Sequence, residues 1–146
     1  MIFGPDDISP LDAMDYLRRN EHRFFRSGVY DPVELAGMIA TEALTSGAGR
    51  VQILSDGEWL TVTADQDWLE NRVHEAFHAV TPFPQGGVNG MLAEVLAVVF
   101  SAGVCTGTRN GFELIKGRAA VPAHPAVEDA VRTVAFKRLR DTGALA

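Results

Sequence analysis

The sequence predicts an α+β domain: a two-layer sandwich with a mixed, mostly antiparallel sheet of about four strands and helices packed on one face. Three observations lead there. Segments with helical apolar spacing and capped starts alternate with segments of strand character. The strand segments come in adjacent pairs, which form hairpins, and not singly between helices, as a parallel crossover needs. No internal repeat or linker-like stretch divides the 146 residues, so 1–146 reads as a single domain.

Each element has its own signal. Ser9-Pro10 followed by Leu11, Met14 and Leu17 sets a first helix, with Ser at N-cap and Pro at N1, ending near Arg18 and Arg19. The stretch from Arg23 to Tyr30 contains Ser27-Gly28 and reads as a loop. Asp31-Pro32 opens a second helix on which Val33, Ala36, Ile39, Ala40, Ala43 and Leu44 fall at helical spacing, closed by Ser46-Gly47. Two strands follow, Val51 to Leu54 and Trp59 to Thr63, joined at Ser55-Asp56-Gly57. Leu69 to Val80 is helical by period, with Val73, Phe77 and Val80 on one side. A Pro- and Gly-rich loop runs from Thr81 to Gly87, and Met91 to Phe100 is apolar nearly all round, the mark of a buried helix. A second hairpin, Gly103 to Thr108 and Gly111 to Lys116, turns at Asn110-Gly111. Pro125 to Arg140 reads as a last helix with Val127, Val131, Val134, Ala135 and Leu139 inward.

Composition bounds the function. Hydrophobic residues make up 47% and charged residues 22%, which excludes a disordered or collagen-like chain. Lys+Arg 13 against Asp+Glu 19 gives −6, a poor balance for non-specific phosphate binding, so nucleic acid is not the expected partner. Cys105 is the single cysteine, which excludes an internal disulfide framework and fits a reducing cytoplasm. The N-terminal Met-Ile-Phe-Gly-Pro-Asp-Asp lacks the basic start and apolar core of a signal peptide. The longest apolar run, Val95 to Phe100, is bounded by Glu94 and Ser101 and falls far short of the roughly 20 residues a bilayer needs. The expectation is a cytoplasmic protein without membrane contact.

Several short strings, in order, resemble the ATP-binding domain of the DNA gyrase B subunit, of the Bergerat-fold superfamily shared with histidine kinases and mismatch-repair ATPases. Arg26-Ser27-Gly28-Val29-Tyr30 is similar to a gyrase Arg-Pro-Gly-Met-Tyr loop, and Glu34 to Leu44 to the nucleotide-site helix. Ile53-Leu54-Ser55-Asp56-Gly57 resembles the next strand and turn, and Phe77-His78-Ala79 with Phe83 a later gyrase string. Gly86-Gly87-Val88-Asn89-Gly90 resembles the glycine-rich lid that cradles phosphate through backbone N–H groups. The similarity runs collinearly from about Leu11 to Lys116.

Carried over residue by residue, the resemblance implies the fold and an incomplete site. The family helix carries Glu-x-x-x-Asn, in which Glu activates water and Asn binds magnesium. Glu34 is in place, but the Asn position is Met38, whose soft thioether does not suit a hard cation. The adenine-binding Asp falls on Thr63, Ala64 or Asp65, according to where one gap is placed, and the flanking glycines of that motif are absent. Gly86, Gly87, Asn89 and Gly90 of the lid remain, followed by Met91-Leu92. Without the magnesium ligand the charge clamp on a transferring phosphoryl group is gone, and no useful ATPase activity is expected.

A second motif competes. His74-Glu75-Ala76-Phe77-His78 matches His-Glu-x-x-His, which on a helix puts both His on one face with Glu75 as general base. Glu94 is the best-placed third ligand, with His22 and His124 as alternatives. The bland alternative keeps His74 and Glu75 near solvent and packs His78 against the following loop, and zinc is not expected.

Trp59 and Trp68 are read as packing residues or as plugs of the emptied nucleotide cleft, Cys105 as a buried small hydrophobe, and Arg132, Lys137, Arg138 and Arg140 as the solvated face of the last helix. Three functions follow. The first is a non-catalytic gyrase-B-like domain acting through a protein partner or self-association. The second is a binder, without hydrolysis, of ATP or of a small ligand like the inhibitors that occupy the gyrase pocket, using Glu34, Met38, Asp65 and the 86–90 segment. The third is a small zinc hydrolase using His74, Glu75 and His78.

Overall fold

The computed structural model describes residues 10–70, 73–78, 93–117 and 130–141. Helix α1 spans Pro10–Arg19, and a short 3-10 turn follows at Glu21–Arg23. Helix α2 is Pro32–Thr45, then come β1 (Val51–Asp56), β2 (Trp59–Ala64), α3 (Val73–His78), α4 (Ala93–Phe100), β3 (Val104–Thr108), β4 (Gly111–Lys116) and β5 (Arg132–Lys137). This is an α+β fold with helices packed against one five-stranded sheet.

The strand order is β1-β2-β5-β3-β4, and all four pairings are antiparallel. Both expected hairpins form, and the segment read as the end of a last helix fills the gap between them. Arg132 to Lys137 pairs with β2 on one side and with β3 on the other. The reason lies in a double periodicity. Val127, Val131, Val134, Ala135 and Leu139 fit a helical stripe, yet Arg132, Val134 and Phe136 also alternate with Thr133, Ala135 and Lys137. Residues 118–129 lie outside the described ones. In the chain from 130 onward the two hairpin edges offer two ladders of unpaired backbone, and pairing there satisfies more buried N–H and C=O groups than a helix would.

The remaining elements follow their signals. Asp31 caps α2, its Oδ1 accepting from Val33 N–H at 3.0 Å and Glu34 N–H at 3.2 Å, with Pro32 at N1. The described part of α3 begins at Val73, not Leu69. Before it, Asp67 Oδ1 accepts from Leu69 N–H and Glu70 N–H at 3.1 and 2.9 Å, which holds 67–70 as a turn. The expected loop 81–87 and the end of α3 at Val80 lie outside the described residues.

The core is formed by α2 (Leu35, Ala36, Ile39, Ala43), α4 (Val95, Leu96, Val99, Phe100) and the facing side of the sheet (Leu60, Val62, Val134, Phe136, Val104). Trp59, Cys105 and Ala135 are buried together on the opposite side of the sheet. Cys105 is the small buried hydrophobe expected, and burial pushes its thiol up to about 12. The basic residues near the C-terminus do not form a helix face. Arg132 is buried, Lys137 sits over the Trp59 ring at 5.6 Å, Arg138 bonds Ser55, and Arg140 pairs with Glu21 at 2.6 Å. No described helix is long and apolar enough to cross a membrane.

Candidate functional site

An open depression of about 730 Å³ runs along the first half of α2. The loop before α2 and the outer face of the helix line it: Arg26, Ser27, Asp31 and Val33, then Glu34, Gly37, Met38 and Thr41. The structure thus brings Glu34 and Met38 together, one turn apart, with the Arg26-Ser27 loop.

The sequence places that loop firmly. Phe25 is buried and meets Phe100 edge-on at 5.5 Å and Tyr30 at 5.7 Å. Gly28 takes φ 86 and donates its N–H to Phe25 O, a backbone conformation that favours glycine. The Tyr30 hydroxyl donates to Lys137 O at 2.9 Å, which ties the loop's far end to β5. With Phe25 and Tyr30 held inside, Arg26 and Val29 between them are left exposed.

The carboxylates of the depression are engaged by the fold itself. Arg26 N–H donates to both Glu34 oxygens, at 3.1 and 3.3 Å. The Asp31 carboxylate fills the N-terminus of α2, where an anionic ligand would otherwise find free N–H groups. Met38 packs partly against the core. A magnesium ion wants near-octahedral hard oxygen ligands. The carboxylates here already accept from the backbone and the fifth position of the helix motif is sulfur, so this donor set does not fit that ion.

Asp65 is elsewhere. Its Oδ1 accepts Gly49 N–H at 2.9 Å, pinning the α2–β1 connection to the end of β2, and it is not among the residues lining the depression. Gly86, Gly87, Asn89 and Gly90 lie outside the described residues. So does the side chain of His74, although its backbone belongs to α3. His78 is exposed at the end of that helix. Among the described residues no three His, Cys, Asp or Glu side chains come together as a metal set.

Glu94, expected as the third zinc ligand, is fully buried. Trp68 Nε1–H donates to its Oε1 at 2.8 Å. Its neighbour is Glu42 of α2, whose Oε1 accepts Ala93 N–H at 2.6 Å. Oε2 of both Glu42 and Glu94 is buried and has no protein donor. A proton kept on Glu42 supplies one, donating across to Glu94. Burial first, then the facing Glu94 carboxyl, push Glu42 far above the ordinary carboxylate range. This pair, with Trp68, clamps α2 to α4. Sequence reading missed Glu42, although it stands three residues after Ile39 and seven after Leu35, on the inward stripe of α2.

A second buried polar contact joins the sheet to the turn before α3. Arg132 donates to Asp67 through Nε (2.8 Å) and Nη2 (2.9 Å), and Nη1 donates to Thr106 Oγ1 at 3.2 Å. Burial raises the Asp67 carboxyl, but the Arg132 bonds and the backbone donors outweigh it and hold the group below its usual range. Both buried contacts brace the scaffold, and neither opens onto the depression.

No family model matches the chain, and comparison with curated proteins and with solved structures gives no match.

Proposed function

We propose that this chain is a non-catalytic, gyrase-B-like domain that works by binding a protein, with the surface around the 26–33 loop and the outer face of α2 as its interface. One observation carries the reading. Glu34, the residue of the helix motif that could activate water, has both oxygens turned to the single N–H of Arg26. A general base must reach the proton it removes, and a carboxylate held by its own loop is a structural clasp. The partner surface is supported by Val33, which lines the depression, and by Val29 of the loop before α2, which stand 63% and 58% exposed. Two large apolar side chains displayed beside a depression are what a protein partner would cover.

A second reading, a small ligand held without hydrolysis, draws on the size of the depression, which falls within the range of ligand pockets. Its openness and its already engaged carboxylates favour the first.

Site-specific photo-crosslinking tests the proposal. A benzoylphenylalanine placed at Val33 in cells of the protein's source should give a discrete adduct with a protein or with a second copy of the chain. The same probe at Leu114, on the far edge strand, should not. Adducts from Leu114 and none from Val33 would contradict the assignment.

A further inference from the structure

Among the described residues the sheet ends in β1 on one side and β4 on the other, and the two edges differ. β4 is guarded: its ladder with β3 is broken by a register shift between Val104 and Cys105, and it carries Glu113 and Lys116. β1 has none of these guards. Its pairing with β2 is continuous from Val51 to Asp56, and residues 51–55 hold no charge and no proline. Gln52 to Ser55 are exposed, with Ile53 at 47% and Leu54 at 37% on opposite faces of the sheet. A flat, apolar edge of this kind is a template for another strand.

The ladder decides which backbone groups that edge offers. Arg50 O accepts Asp65 N–H at 3.1 Å, so residue 50 and every second residue after it bond inward to β2. Val51, Ile53 and Ser55 therefore turn N–H and C=O outward. When a second copy pairs antiparallel about a two-fold axis normal to the sheet, opposed residues share a face. With Ile53 opposite itself, Val51 meets Ser55 of the other copy and every outward group of the strand is bonded. Any other centre runs one end of β1 past the end of its partner. The Ile53 register also sets Arg50 opposite Asp56 of the other copy, once on each side of the axis, and Gln52 opposite Leu54. These are non-hydrogen-bonded positions, where facing side chains stand closest. Arg50 is exposed, and its guanidinium has donors enough to serve Asp56 beside any contact of its own. Asp56 has no ion-pair partner among the described residues. We infer that two copies of the chain join β1 to β1 in this register, giving one continuous sheet with a β4 at each end. Opposite charges at the two ends of one strand are complementary to that same strand reversed, which selects a second copy over a foreign segment. This interface goes beyond the one proposed on α2 and does not rest on it.

Sedimentation equilibrium of the full chain across a concentration series tests the inference. The chain should form a dimer and nothing larger, since pairing uses up both β1 edges. Ile53→Lys sets two cations against each other at the axis and should weaken the dimer at least tenfold, with circular dichroism unchanged. Arg50→Glu should weaken it at least threefold, and Arg50→Glu/Asp56→Arg should restore it. Disulfide trapping reads the register directly: Gln52→Cys chains mixed with Leu54→Cys chains should cross-link far faster under oxidation than either variant alone. Cys105 is buried and does not compete. A dimer indifferent to Ile53→Lys, assembly beyond the dimer, or cross-linking no faster in the mixture than in the separate variants overturns the inference. A chain that stays monomeric at every concentration also overturns it and leaves the β1 edge to a strand of another protein.

Discussion

The backbone N–H of Arg26 is bonded to the side chain of Glu34, eight residues on, by both carboxylate oxygens at 3.1 and 3.3 Å. The contact closes the loop that Phe25 anchors from inside, and it also places an acid in the first turn of α2, where the helix dipole favours one. Replacing Glu34 with Ala should cost about 1–2 kcal/mol, the sum of a lost charge-assisted bond and a lost dipole contact at a half-exposed site. Glu34→Gln keeps an acceptor and should cost less than half as much. Urea unfolding measures both. Equal losses in the two variants would show that the bond to Arg26 contributes nothing.

The Glu42 carboxyl makes stability depend on pH in a direction opposite to most acids. Glu42 holds its proton in the folded chain, through burial and the facing Glu94, where an unfolded carboxyl with the ordinary value of 4.5 would release it. The folded state then binds more protons than the unfolded one. This contribution is therefore complete below the ordinary carboxylate range and is lost as pH rises above it, by at most about 1.4 kcal/mol per pH unit. Glu42→Gln keeps the shape and a donor toward Glu94 and removes the titration. Its stability between pH 5 and 9 should vary less than that of the parent chain, and the two curves should diverge toward high pH with the variant above. Parallel curves would contradict the protonated pair.

Arg132 and Asp67 form a buried, two-bond ion pair whose loss should be costly because one charge is left behind. Asp67→Ala should destabilise by about 3 kcal/mol, at the low end of the range for buried pairs because Asp67 is a quarter exposed. Adding Arg132→Met should restore part of that loss, since it removes the orphaned charge. A double variant less stable than Asp67→Ala would refute this. The Asp67 group, held below its usual range, adds stability above its unfolded value that is lost as the medium is acidified.

Gly107 of β3 faces Phe112 of β4 across the ladder. A Cβ built at Gly107 would lie 2.7 Å from Phe112 Cγ and 2.8 Å from Gly111 O, so the ring covers the bare backbone and leaves no room for a methyl. Gly107→Ala should cost about 1–3 kcal/mol through strain. Phe112→Leu in the same background should relieve some of it. Thermal melts of the two variants check the pair.

The elements with local signals were legible. Asp31-Pro32 announced α2, Asp56-Gly57 and Asn110-Gly111 announced the hairpins, and the apolar run before Ser101 announced α4. What was not legible depends on partners distant in sequence. The residues of β5 fit either period, and only the two hairpin edges on either side of it decide between them. Of the motif residues, Glu34 and Met38 share a depression because they share a helix, while Asp65 is drawn off to Gly49. Glu42 belongs to no motif, and its role shows only once Glu94 and Trp68, tens of residues later, are placed against it.

The central claim is that α2 carries a surface and not a reaction centre. Calorimetric titration of the full chain with ATP, with and without magnesium, combined with a turnover assay, tests it most directly. The expected result is no magnesium-dependent heat and phosphate release at the buffer rate, unchanged in Glu34→Gln. Magnesium-dependent binding with turnover that Glu34→Gln abolishes would contradict it.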